Sequence, residues 1–340
     1  MQDTLFGKTL EELKELSLNL GLPSFTAQQL CDWLYKKDAT SFEEMTNLSL
    51  KARAKLSEHF QLGLQIPTDE QESVDGTKKY LFPSGLGKFI ETAYIPEAKR
   101  STICVSSQVG CKMGCLFCMT GKQGFQGNLS AAEILNQFRS LPERRKLTNI
   151  VYMGMGEPLD NLPAVLRSLE VFTADWGFAL SPRRITVSTI GITPAMLEFL
   201  NKSEAHLAIS LHSPFDEERR KLMPVQQVYP LKEVLKEILS WDFGRQRRIS
   251  FEYILFKGYN DSSAHVNELS RILHGIKCRI NLIRFHPIPD TPLESPSQKA
   301  IELFRDKLNA KGITTTIRAS RGEDIWAACG LLSTKRLQNT

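Results

Sequence analysis

The segment Cys111-Lys-Met-Gly-Cys115-Leu-Phe-Cys118 places three cysteines within eight residues. Its C-x3-C-x2-C spacing supplies three thiolates, whereas a tetrahedral metal or a cubane iron–sulfur cluster takes four ligands. One iron of a cubane cluster bound here would have no protein ligand, so a small molecule could bind to it. The segment therefore predicts an iron–sulfur cluster with one open position.

Zinc is the alternative metal for three neighbouring cysteines. Structural zinc sites close with four Cys or His ligands, usually as two C-x2-4-C pairs. Only Cys115 and Cys118 form such a pair, and the candidates for a fourth ligand are Cys104 upstream and histidines far downstream. The spacing favours an iron–sulfur cluster, with structural zinc or buried thiols as the competing interpretations.

Downstream of Lys99-Arg100 the chain alternates between strand-like and helical patterns. Apolar strand-like runs begin near Ser101, Asn149, Arg184, His206, Arg248 and Arg279. Helical patterns follow them at residues 130–138, 162–172, 193–200, 231–241, 264–273 and 298–310. Parallel strands need crossover connections, which helices supply, so six strand–helix repeats predict a parallel sheet. The expected fold class is α/β, with a (β/α)6 partial barrel as its core.

A small helical domain is predicted to precede the core, at residues 1–75. The leucines from Leu10 to Leu18 predict a helix that Gly21-Leu-Pro23 ends. Ser41 and Glu44 have the spacing of a capping box, which predicts another short helix.

Residues 76–100 are predicted to form a strand-rich extension between this domain and the core. Apolar and polar residues alternate from Lys78 to Tyr94 around the turn signal Pro83-Ser-Gly85, which indicates a hairpin. The barrel core is then expected to cover 101–318, and a C-terminal segment to cover 319–340.

Glycine and polar motifs lie where the predicted barrel strands end. In parallel sheets and barrels, ligands bind at the carboxyl ends of the strands. The cysteine segment follows the first strand. The motifs at the other strand ends are Gly156-Glu157 at the second, Ser188 at the third, Ser210 to His212 at the fourth and His286 at the sixth. We therefore expect these motifs to meet at one rim of the barrel.

The composition is that of an ordinary globular protein. The 340 residues are 41% hydrophobic and 24% charged, and their number suggests about two domains. No apolar stretch approaches the length of a transmembrane span, and the N-terminus does not resemble a secretory signal. Seven cysteines, an odd number, argue against a disulfide framework and favour a reducing compartment. We expect a cytoplasmic protein that has no membrane partner.

The net charge of +5 permits an RNA partner without requiring one, because phosphate binding depends on clustered rather than total charge. Basic clusters occur at Arg144-Arg145-Lys146, Arg183-Arg184, Arg219-Arg220-Lys221, Arg245 with Arg247-Arg248, and Lys335-Arg336. Each cluster alone is more often a solvated surface than a phosphate site.

Several separated motifs narrow the interpretation. They are Val105-Ser-Ser-Gln-Val-Gly-Cys111, Gly154-Met-Gly-Glu-Pro158, Ser188-Thr-Ile-Gly191, Ser210-Leu-His212 and Asp324-Ile-Trp-Ala-Ala-Cys-Gly330. Together with the cysteine segment, they resemble the radical S-adenosylmethionine enzymes and, among these, the RlmN/Cfr family of adenine methyltransferases. Within that family the chain looks like the dual-specificity members that methylate carbon 2 of adenine in 23S rRNA and tRNA. The resemblance runs from about Leu10 to Leu332.

This resemblance implies two cofactors. Cys111, Cys115 and Cys118 would hold a [4Fe-4S] cluster, whose free iron would chelate S-adenosyl-L-methionine. The residues implied to bind the methionyl ammonium, ribose and adenine of that molecule are Gly156, Glu157, Ser188, Ser210, Leu211 and His212. His286 stands where the family usually has an asparagine that contacts the cofactor. Without the resemblance, Gly156 and Glu157 would be interpreted as a turn that ends a strand, and the serine and histidine residues as ordinary hydrogen-bonded side chains.

The chemistry of the target carbon explains why a radical is needed. Carbon 2 of adenine is electron-poor and has no lone pair, so it cannot displace the methyl group of a sulfonium ion. A carbon radical can add to it, provided that the methyl group is first held where a hydrogen atom can be abstracted. A cysteine thiolate suits this task because it is a good nucleophile and then forms a stable thioether.

The resemblance implies catalytic roles for three residues. Cys329 matches the methyl carrier, and Cys104 matches the thiol that releases the product by forming a disulfide with Cys329. An external electron donor, similar to flavodoxin, would then reduce that disulfide. Glu91 aligns with the family's proton acceptor, whereas the competing interpretations are a surface charge at Glu91 and a thiolate base at Cys104. Leu331 departs from the family pattern, which usually has glutamine there.

The predicted function is methylation of carbon 2 of adenosine in 23S rRNA and of the adenosine 3′ of the tRNA anticodon. The nearest alternative is a Cfr-type enzyme that methylates carbon 8 of the ribosomal adenine with the same cysteines. A radical enzyme that acts on protein would not need Cys104 and Cys329 as a pair. A zinc RNA-binding module without enzymatic activity would lack the iron and sulfide of a cluster.

Overall fold

The computed structural model describes residues 3–243 and 249–334, beginning with a helical N-terminal region. Its elements are β1 (Asp3–Thr4), α1 (Leu10–Asn19), α2 (Thr26–Cys31), the π-helix Asp32–Lys36, α3 (Leu50–His59) and β2 (Phe60–Gln61). The two short strands pair in parallel. The basic clusters predicted at Arg245 with Arg247-Arg248 and at Lys335-Arg336 lie outside the described residues.

Helix α1 forms where the leucine pattern predicts it. The Thr9 side chain accepts a hydrogen bond from the N–H of Glu12 (3.3 Å), and the Glu12 carboxylate accepts one from the N–H of Thr9 (2.8 Å). This capping box satisfies two backbone donors at the helix start. Leu13 and Leu16 are buried on the inner face, and Gly21 follows the helix with φ of +63°.

The short helix predicted after Ser41 is wrong. Residues 41–48 form turns and bends. The Glu44 carboxylate accepts hydrogen bonds from both the N–H (3.2 Å) and the hydroxyl (2.6 Å) of Thr40, so it closes a turn instead of capping a helix. Short polar side chains often make such local bonds in competition with helix formation.

An antiparallel extension connects the helical region to the core. Its strands are β3 (Asp69–Glu72), β4 (Lys78–Pro83) and β5 (Phe89–Pro96). The predicted hairpin is present, since β4 and β5 pair from Lys78 with Tyr94 to Pro83 with Phe89. Strand β3 pairs with β4, so the extension starts before residue 76, where the sequence pattern predicts its beginning.

The core alternates strands and helices. Its first half contains β6 (Ser101–Cys104), β7 (Gln108–Val109), α4 (Met119–Gln123), β8 (Gly127–Asn128), α5 (Ala131–Arg139), β9 (Asn149–Tyr152) and α6 (Leu162–Thr173). Its second half contains β10 (Ile185–Thr189), α7 (Thr193–Lys202), β11 (His206–Ser210), α8 (Asp216–Leu222), α9 (Leu231–Ser240), β12 (Ile249–Leu255), α10 (Ser263–Ile272), β13 (Cys278–Arg284), α11 (Gln298–Ala310) and β14 (Thr315–Ile317). None of the described helices is both long and apolar enough to cross a membrane.

Ten strands of the described chain form one sheet, in the order β14-β13-β12-β11-β10-β9-β6-β5-β4-β3. Strand β6 and strands β9 to β14 run parallel, and each lies beside the next one in sequence. Helical crossovers that always advance to the adjacent strand build a barrel wall rather than a doubly wound sheet. The predicted (β/α)6 partial barrel is confirmed, and β14 adds one more parallel strand at its edge.

The two faces of the barrel strands differ in polarity. Side chains alternate between the faces of a strand. The outward residues are apolar and buried beneath the helices, for example Ile150, Val187, Leu207, Phe251 and Ile280. The alternate residues line a cavity in the barrel interior, for example Asn149, Thr186, His206, Ser250 and Arg279. The strand register therefore makes one face the hydrophobic core and the other a polar lumen.

Candidate active site

The cysteine segment forms a loop between β7 and α4. Cys111 and Cys115 are buried, and the half-buried Cys118 directly precedes α4. Gly110 has φ of +73°, and a Cβ atom there would lie 1.7 Å from the carbonyl oxygen of Gly124. Only glycine fits this turn, so the path of the loop is set by the chain itself.

The environment of the three thiols suits a metal cluster. Burial raises the pKa of Cys111 to about 12 and that of Cys115 well above its usual range, and Cys118 raises both further. Thiolates in this loop are therefore unfavourable alone, and a positively charged metal centre that binds them would reverse this effect. Thiolates are also the usual ligands of iron–sulfur clusters.

Gly156 and Glu157 lie just after β9. Glu157 is buried, and its carboxylate accepts hydrogen bonds from the N–H groups of Leu159 and Ile190, both at 3.1 Å. Burial raises the pKa of Glu157 to about 7. Gly156 has φ of +99°, and a Cβ atom there would approach the Cβ of Gln108 to 2.6 Å. The close contact between the loops after β6 and β9 therefore requires glycine.

His212 is neutral and has a defined tautomer. Burial lowers its pKa to about 3. Its Nδ1 accepts a hydrogen bond from the N–H of Ile254 (3.0 Å), so the proton of the neutral ring is on Nε2. The ring lies edge-on to Phe117 of the cysteine loop, with 4.8 Å between the ring centroids. His212 thus links the end of β11 to the predicted cluster loop.

Ser188, Ser210 and Leu211 lie near the carboxyl ends of neighbouring strands. Ser188 follows Thr186 by two residues in β10, so it faces the same lumen as Thr186. Ser210 ends β11, and Leu211 is fully buried. Their carbonyl oxygens accept hydrogen bonds from Arg219, at 3.1 and 3.2 Å. The predicted cofactor residues therefore share one rim of the barrel with the cysteine loop.

A cavity of about 610 Å³ occupies the barrel interior. Cys104, the last residue of β6, and Cys329, in the C-terminal segment, both line it. His286 lines it as well; this side chain is buried, with Nδ1 3.3 Å from Oε1 of Glu323. Much of the remaining lining comes from the amino ends of strands β9 to β13. The cavity thus runs from the rim toward the opposite mouth of the barrel.

The thiols of Cys104 and Cys329 line the same cavity and influence each other electrostatically. Burial raises the pKa of Cys104 to about 12, and Cys329 is the next contributor to that shift. Cys329 is exposed to the cavity; desolvation by the cavity walls raises the pKa of its thiol, and the guanidinium of Arg318 opposes this rise. Cys118 contributes a smaller increase to the pKa of Cys329. The two thiols, Arg318 and the cysteine loop are therefore within electrostatic range of one another.

Helix α4 is hydrogen-bonded to the C-terminal segment. The N–H of Met119 donates to the carbonyl of Gly330 (2.8 Å). Gln123 makes three further hydrogen bonds, to Ser333 and Thr334, between 2.8 and 3.0 Å long. The segment that carries Cys329 is therefore held against the helix that begins immediately after Cys118.

Glu91 lies apart from the paired thiols. It lines a second cavity of about 340 Å³ and is not part of the lining shared by Cys104 and Cys329. Its carboxylate is 3.0 Å from Nζ of Lys79 and accepts a hydrogen bond from the N–H of Ser333 (2.8 Å). The structure thus places the two thiols in one cavity and Glu91 in another.

Other polar residues of the lumen are absent from the sequence-based site. They include Glu252, Asn281, Arg318 and Arg321 and, near the amino ends of the strands, Arg100 and Arg279; the Arg183-Arg184 cluster lines the cavity as well. For the strand residues Glu252, Arg279 and Asn281 a signal exists in the sequence, because polar residues alternate with apolar ones in strands that a parallel barrel buries on both faces. Glu252 and Asn281 are polar residues within two such mostly apolar strands.

Two family models match the chain. One, described as "Radical SAM superfamily", covers residues 105–269, and the other, described as "Ribosomal RNA large subunit methyltransferase N-terminal domain", covers residues 4–62. The chain is also similar to "Probable dual-specificity RNA methyltransferase RlmN" of Parabacteroides distasonis, with 57% identity over 98% of this chain and 97% of that protein. A "Dual-specificity RNA methyltransferase RlmN" of Syntrophus aciditrophicus is 44% identical over 97% of this chain and 96% of its own length.

A solved structure has the same fold. The crystal structure of a radical SAM methyltransferase from Sphaerobacter thermophilus superimposes with a TM-score of 0.91 and 40% sequence identity. The match covers 97% of this chain and 99% of that one. The helical region, the extension and the barrel are therefore shared by both proteins.

Proposed function

The chain belongs to the RlmN family of radical SAM RNA methyltransferases, and on that premise we propose that it methylates carbon 2 of adenosine in RNA. The proposed substrates are 23S rRNA and the adenosine 3′ of the tRNA anticodon. The observation that carries the proposal is the pair of thiols, Cys104 and Cys329, which line one cavity in the barrel interior.

The proposed cofactors are a [4Fe-4S] cluster held by Cys111, Cys115 and Cys118, and S-adenosyl-L-methionine bound beside it. Together they would supply the methyl group, a hydrogen-atom acceptor and a centre that gives and takes back one electron. The side chains proposed to hold S-adenosyl-L-methionine at the rim are those of Glu157, Ser188, Ser210, Leu211, His212 and His286, together with the backbone of Gly156. The neutral ring of His212 would donate from Nε2, because Nδ1 is already occupied by the Ile254 N–H.

Cys329 is the proposed carrier of the methyl group. Its thiolate displaces the methyl group from a sulfonium ion and becomes a thioether. Arg318 assists this step, because its positive charge favours the thiolate in a site where burial opposes it. Once a hydrogen atom has been removed from the methyl group, its carbon adds to carbon 2 of the adenine, and one electron and the proton of carbon 2 are then lost.

Cys104 is proposed to release the product. Its thiolate attacks the sulfur of Cys329, so a sulfur–sulfur bond forms and the bond between Cys329 and the new carbon breaks. The electron pair of the broken bond stays on that carbon, which takes up a proton and becomes the methyl group of the product. Two electrons and two protons from an external donor, proposed to be flavodoxin-like, then restore both thiols.

A base must also remove the proton from carbon 2. Glu91 is the proposed acceptor, and Cys104 is the alternative. Glu91 offers a carboxylate as the acceptor, held 3.0 Å from Nζ of Lys79, whereas Cys104 has the advantage of lining the same cavity as Cys329. A Glu91→Gln variant that retains the wild-type rate would assign the step to Cys104.

The function is tested by positional analysis of the methylated base. The reduced protein is incubated with methyl-labelled S-adenosylmethionine and either rRNA or tRNA, and the nucleosides are separated by liquid chromatography against the authentic methyladenosine isomers and detected by mass spectrometry. We expect 2-methyladenosine, whereas 8-methyladenosine would identify the Cfr-type activity. Unlabelled RNA from both incubations would reject the proposal.

Variants of the two thiols test the chemistry. Cys329→Ala should abolish methylation, and Cys104→Ala should accumulate a covalent protein–RNA adduct, because the thioether link cannot be resolved. Cys278→Ala is the matched control, since this half-buried cysteine at the start of β13 does not line the cavity. Normal turnover by Cys104→Ala would contradict the disulfide step.

A further inference from the structure

The lumen contains a buried carboxylate that is only half satisfied. Glu252 is in β12, is 3% exposed and lines the same cavity as Cys104 and Cys329. Its Oε1 accepts hydrogen bonds from the hydroxyl of Ser250 (3.2 Å) and from Nδ2 of Asn281 (2.8 Å). Within the described residues, its Oε2 has no hydrogen-bond partner. A buried acceptor without a donor is unfavourable, so this oxygen is available to accept a hydrogen bond from a bound molecule.

Arg318 lies near Oε2 of Glu252 but does not form a hydrogen bond with it. The Nη1 atom of Arg318 is 3.9 Å from Oε2 of Glu252, beyond hydrogen-bond distance. The Arg318 side chain is 31% exposed and lines the same cavity. Nη1 of Arg318 donates one hydrogen bond to Sδ of Met153 (3.0 Å), which leaves other N–H groups of the guanidinium for a ligand. The pair therefore presents an acceptor and a donor about 4 Å apart.

Adenine carries the complementary pattern. Its 6-amino group is a donor and lies next to ring nitrogens that are acceptors, whereas guanine and uracil place a carbonyl oxygen at the corresponding position. A carboxylate can only accept, so it pairs with the amino group and repels the carbonyl oxygen. Enzymes that modify a base usually read its edge in this way once the base has left the stack.

We propose that Glu252 and Arg318 select adenine as the target base, with Glu252 Oε2 accepting a hydrogen bond from the 6-amino group and Arg318 donating to the adjacent ring nitrogen. This inference rests on the proposed function, because it is the reaction at carbon 2 that brings the base into the cavity beside Cys104 and Cys329.

The hydrogen bonds around Glu252 make its role as an acceptor testable. Because a carboxylate can only accept, Asn281 must present Nδ2 to Glu252, and its Oδ1 then accepts a hydrogen bond from the Thr316 hydroxyl (2.8 Å). In a Glu252→Gln variant that keeps this Asn281 orientation, the amide oxygen takes the Oε1 position and the amide nitrogen takes the Oε2 position. The variant would present a donor to the base where the wild-type protein presents an acceptor.

The experiment compares three RNAs that differ in the group at position 6 of the target base; inosine also carries a hydrogen on ring nitrogen 1. Adenosine, purine riboside and inosine all keep the hydrogen on carbon 2, so each can in principle be methylated. We expect wild-type kcat/KM to be on the order of 10- to 100-fold lower for purine riboside than for adenosine, the effect of one hydrogen bond to a charged group, and lower again for inosine.

The variants should change this ranking in opposite ways. Glu252→Gln should raise the ratio of kcat/KM for inosine to kcat/KM for adenosine, and Glu252→Ala should bring the adenosine to purine riboside ratio close to one. Glu97→Gln is the matched control, because this carboxylate lines the same cavity but is already hydrogen-bonded to Arg100; its ratios should equal those of the wild-type protein. Wild-type ratios in both Glu252 variants would overturn the inference. So would a change confined to the KM for S-adenosylmethionine, which would assign Glu252 to the cofactor.

Equilibrium binding of the same three oligonucleotides separates this inference from the proposed function. The wild-type protein should bind adenosine RNA about tenfold more tightly than purine riboside RNA, and Glu252→Ala should remove that difference. Discrimination in binding without any methylation would refute the proposed reaction and keep the base selection. Methylation with equal affinity and equal kcat/KM for adenosine and purine riboside would refute the base selection alone.

Discussion

His212 combines a backbone conformation and a charge state that few residues could provide. Its φ is +56°, a left-handed conformation that is uncommon for residues other than glycine, asparagine and aspartate. Burial keeps the ring neutral by lowering its pKa to about 3. The unfolded chain, in contrast, binds a proton at this histidine below about pH 6.5. The contribution of neutral His212 to the free energy of unfolding is therefore fully present above about pH 6.5. It is lost progressively as the pH falls toward 3.

Replacing His212 with asparagine should reduce this acid sensitivity. Asparagine tolerates the left-handed conformation, and its Oδ1 can accept the hydrogen bond from Ile254 without titrating. Between pH 6.5 and 5 we expect the free energy of unfolding of the wild-type protein to fall more steeply, by up to about 1.4 kcal/mol per pH unit, than that of His212→Asn. Urea unfolding at pH 5, 5.75, 6.5 and 7.5 measures both slopes; equal slopes would show that His212 does not remain neutral.

Cys118 tests the proposed cluster directly. Cys118→Ala removes one of three thiolates, and we expect the purified, reconstituted variant to lose most of the roughly four irons per chain that a cubane cluster contains, together with its visible absorption. Cys278→Ala should keep both. Full iron content in Cys118→Ala, with unchanged turnover, would be incompatible with this thiol as a cluster ligand.

At the scale of elements, helix α4 joins two parts of the site. Its first residue follows Cys118, and its side chains and backbone hold the segment after Cys329. The Thr120 hydroxyl adds a hydrogen bond to the carbonyl of Leu332 (2.6 Å). A five-residue helix has little stability alone, so these long-range bonds keep it and the segment in place together.

Removing the Gln123 side chain should loosen the C-terminal segment without removing the cluster. Gln123→Ala eliminates three hydrogen bonds, and we expect amide exchange at residues 329–334 to become about tenfold faster, with a lower kcat and unchanged iron content. Lys122→Ala is the control on the same helix, because Lys122 instead bonds to the carbonyl of Asp290 (2.9 Å). Similar exchange in the two variants would mean that Gln123 does not position the segment.

At the scale of the whole molecule, the barrel has two chemically different ends. The cysteine loop and the predicted cofactor residues occupy the rim at the carboxyl ends of the strands. Arg183 and Arg184, both exposed, precede β10 and line the opposite mouth of the cavity, near Arg100 and Arg279. A basic mouth attracts phosphates, so RNA would approach from the end that faces away from the cysteine loop.

Charge removal at this mouth should weaken RNA binding in a salt-dependent manner. For the double variant Arg183→Ala/Arg184→Ala, we expect lower affinity for single-stranded RNA. In a plot of log affinity against log salt concentration, the slope should be shallower by about 1.4, which corresponds to two lost phosphate contacts. Arg305→Ala is the control, because Arg305 pairs with Asp306 on the outer helix α11. An unchanged slope in the double variant would place the RNA elsewhere.

The sequence alone was sufficient for the fold class, the family and the enzymatic function. The signals were local or periodic: three cysteines in eight residues, glycine motifs at strand ends and six strand–helix repeats. The comparisons with known proteins confirm the fold class, the family and the function predicted from them. The roles assigned to individual site residues stay predictions. The capping-box spacing of Ser41 and Glu44 failed for a local reason, because Thr40 takes the Glu44 carboxylate.

Only the tertiary structure revealed which polar residues share a cavity. Cys104 and Cys329 are 225 positions apart and meet because the C-terminal segment packs on α4. Glu91, although in the strand next to Cys104, lines a different cavity from the two thiols. Glu252 and Arg318 could not be paired from sequence, since their proximity depends on the register of β12, β13 and β14. The local sequence pattern determines where each strand forms. The register between strands decides which side chains face one another, and that register is set by contacts between residues far apart in the chain.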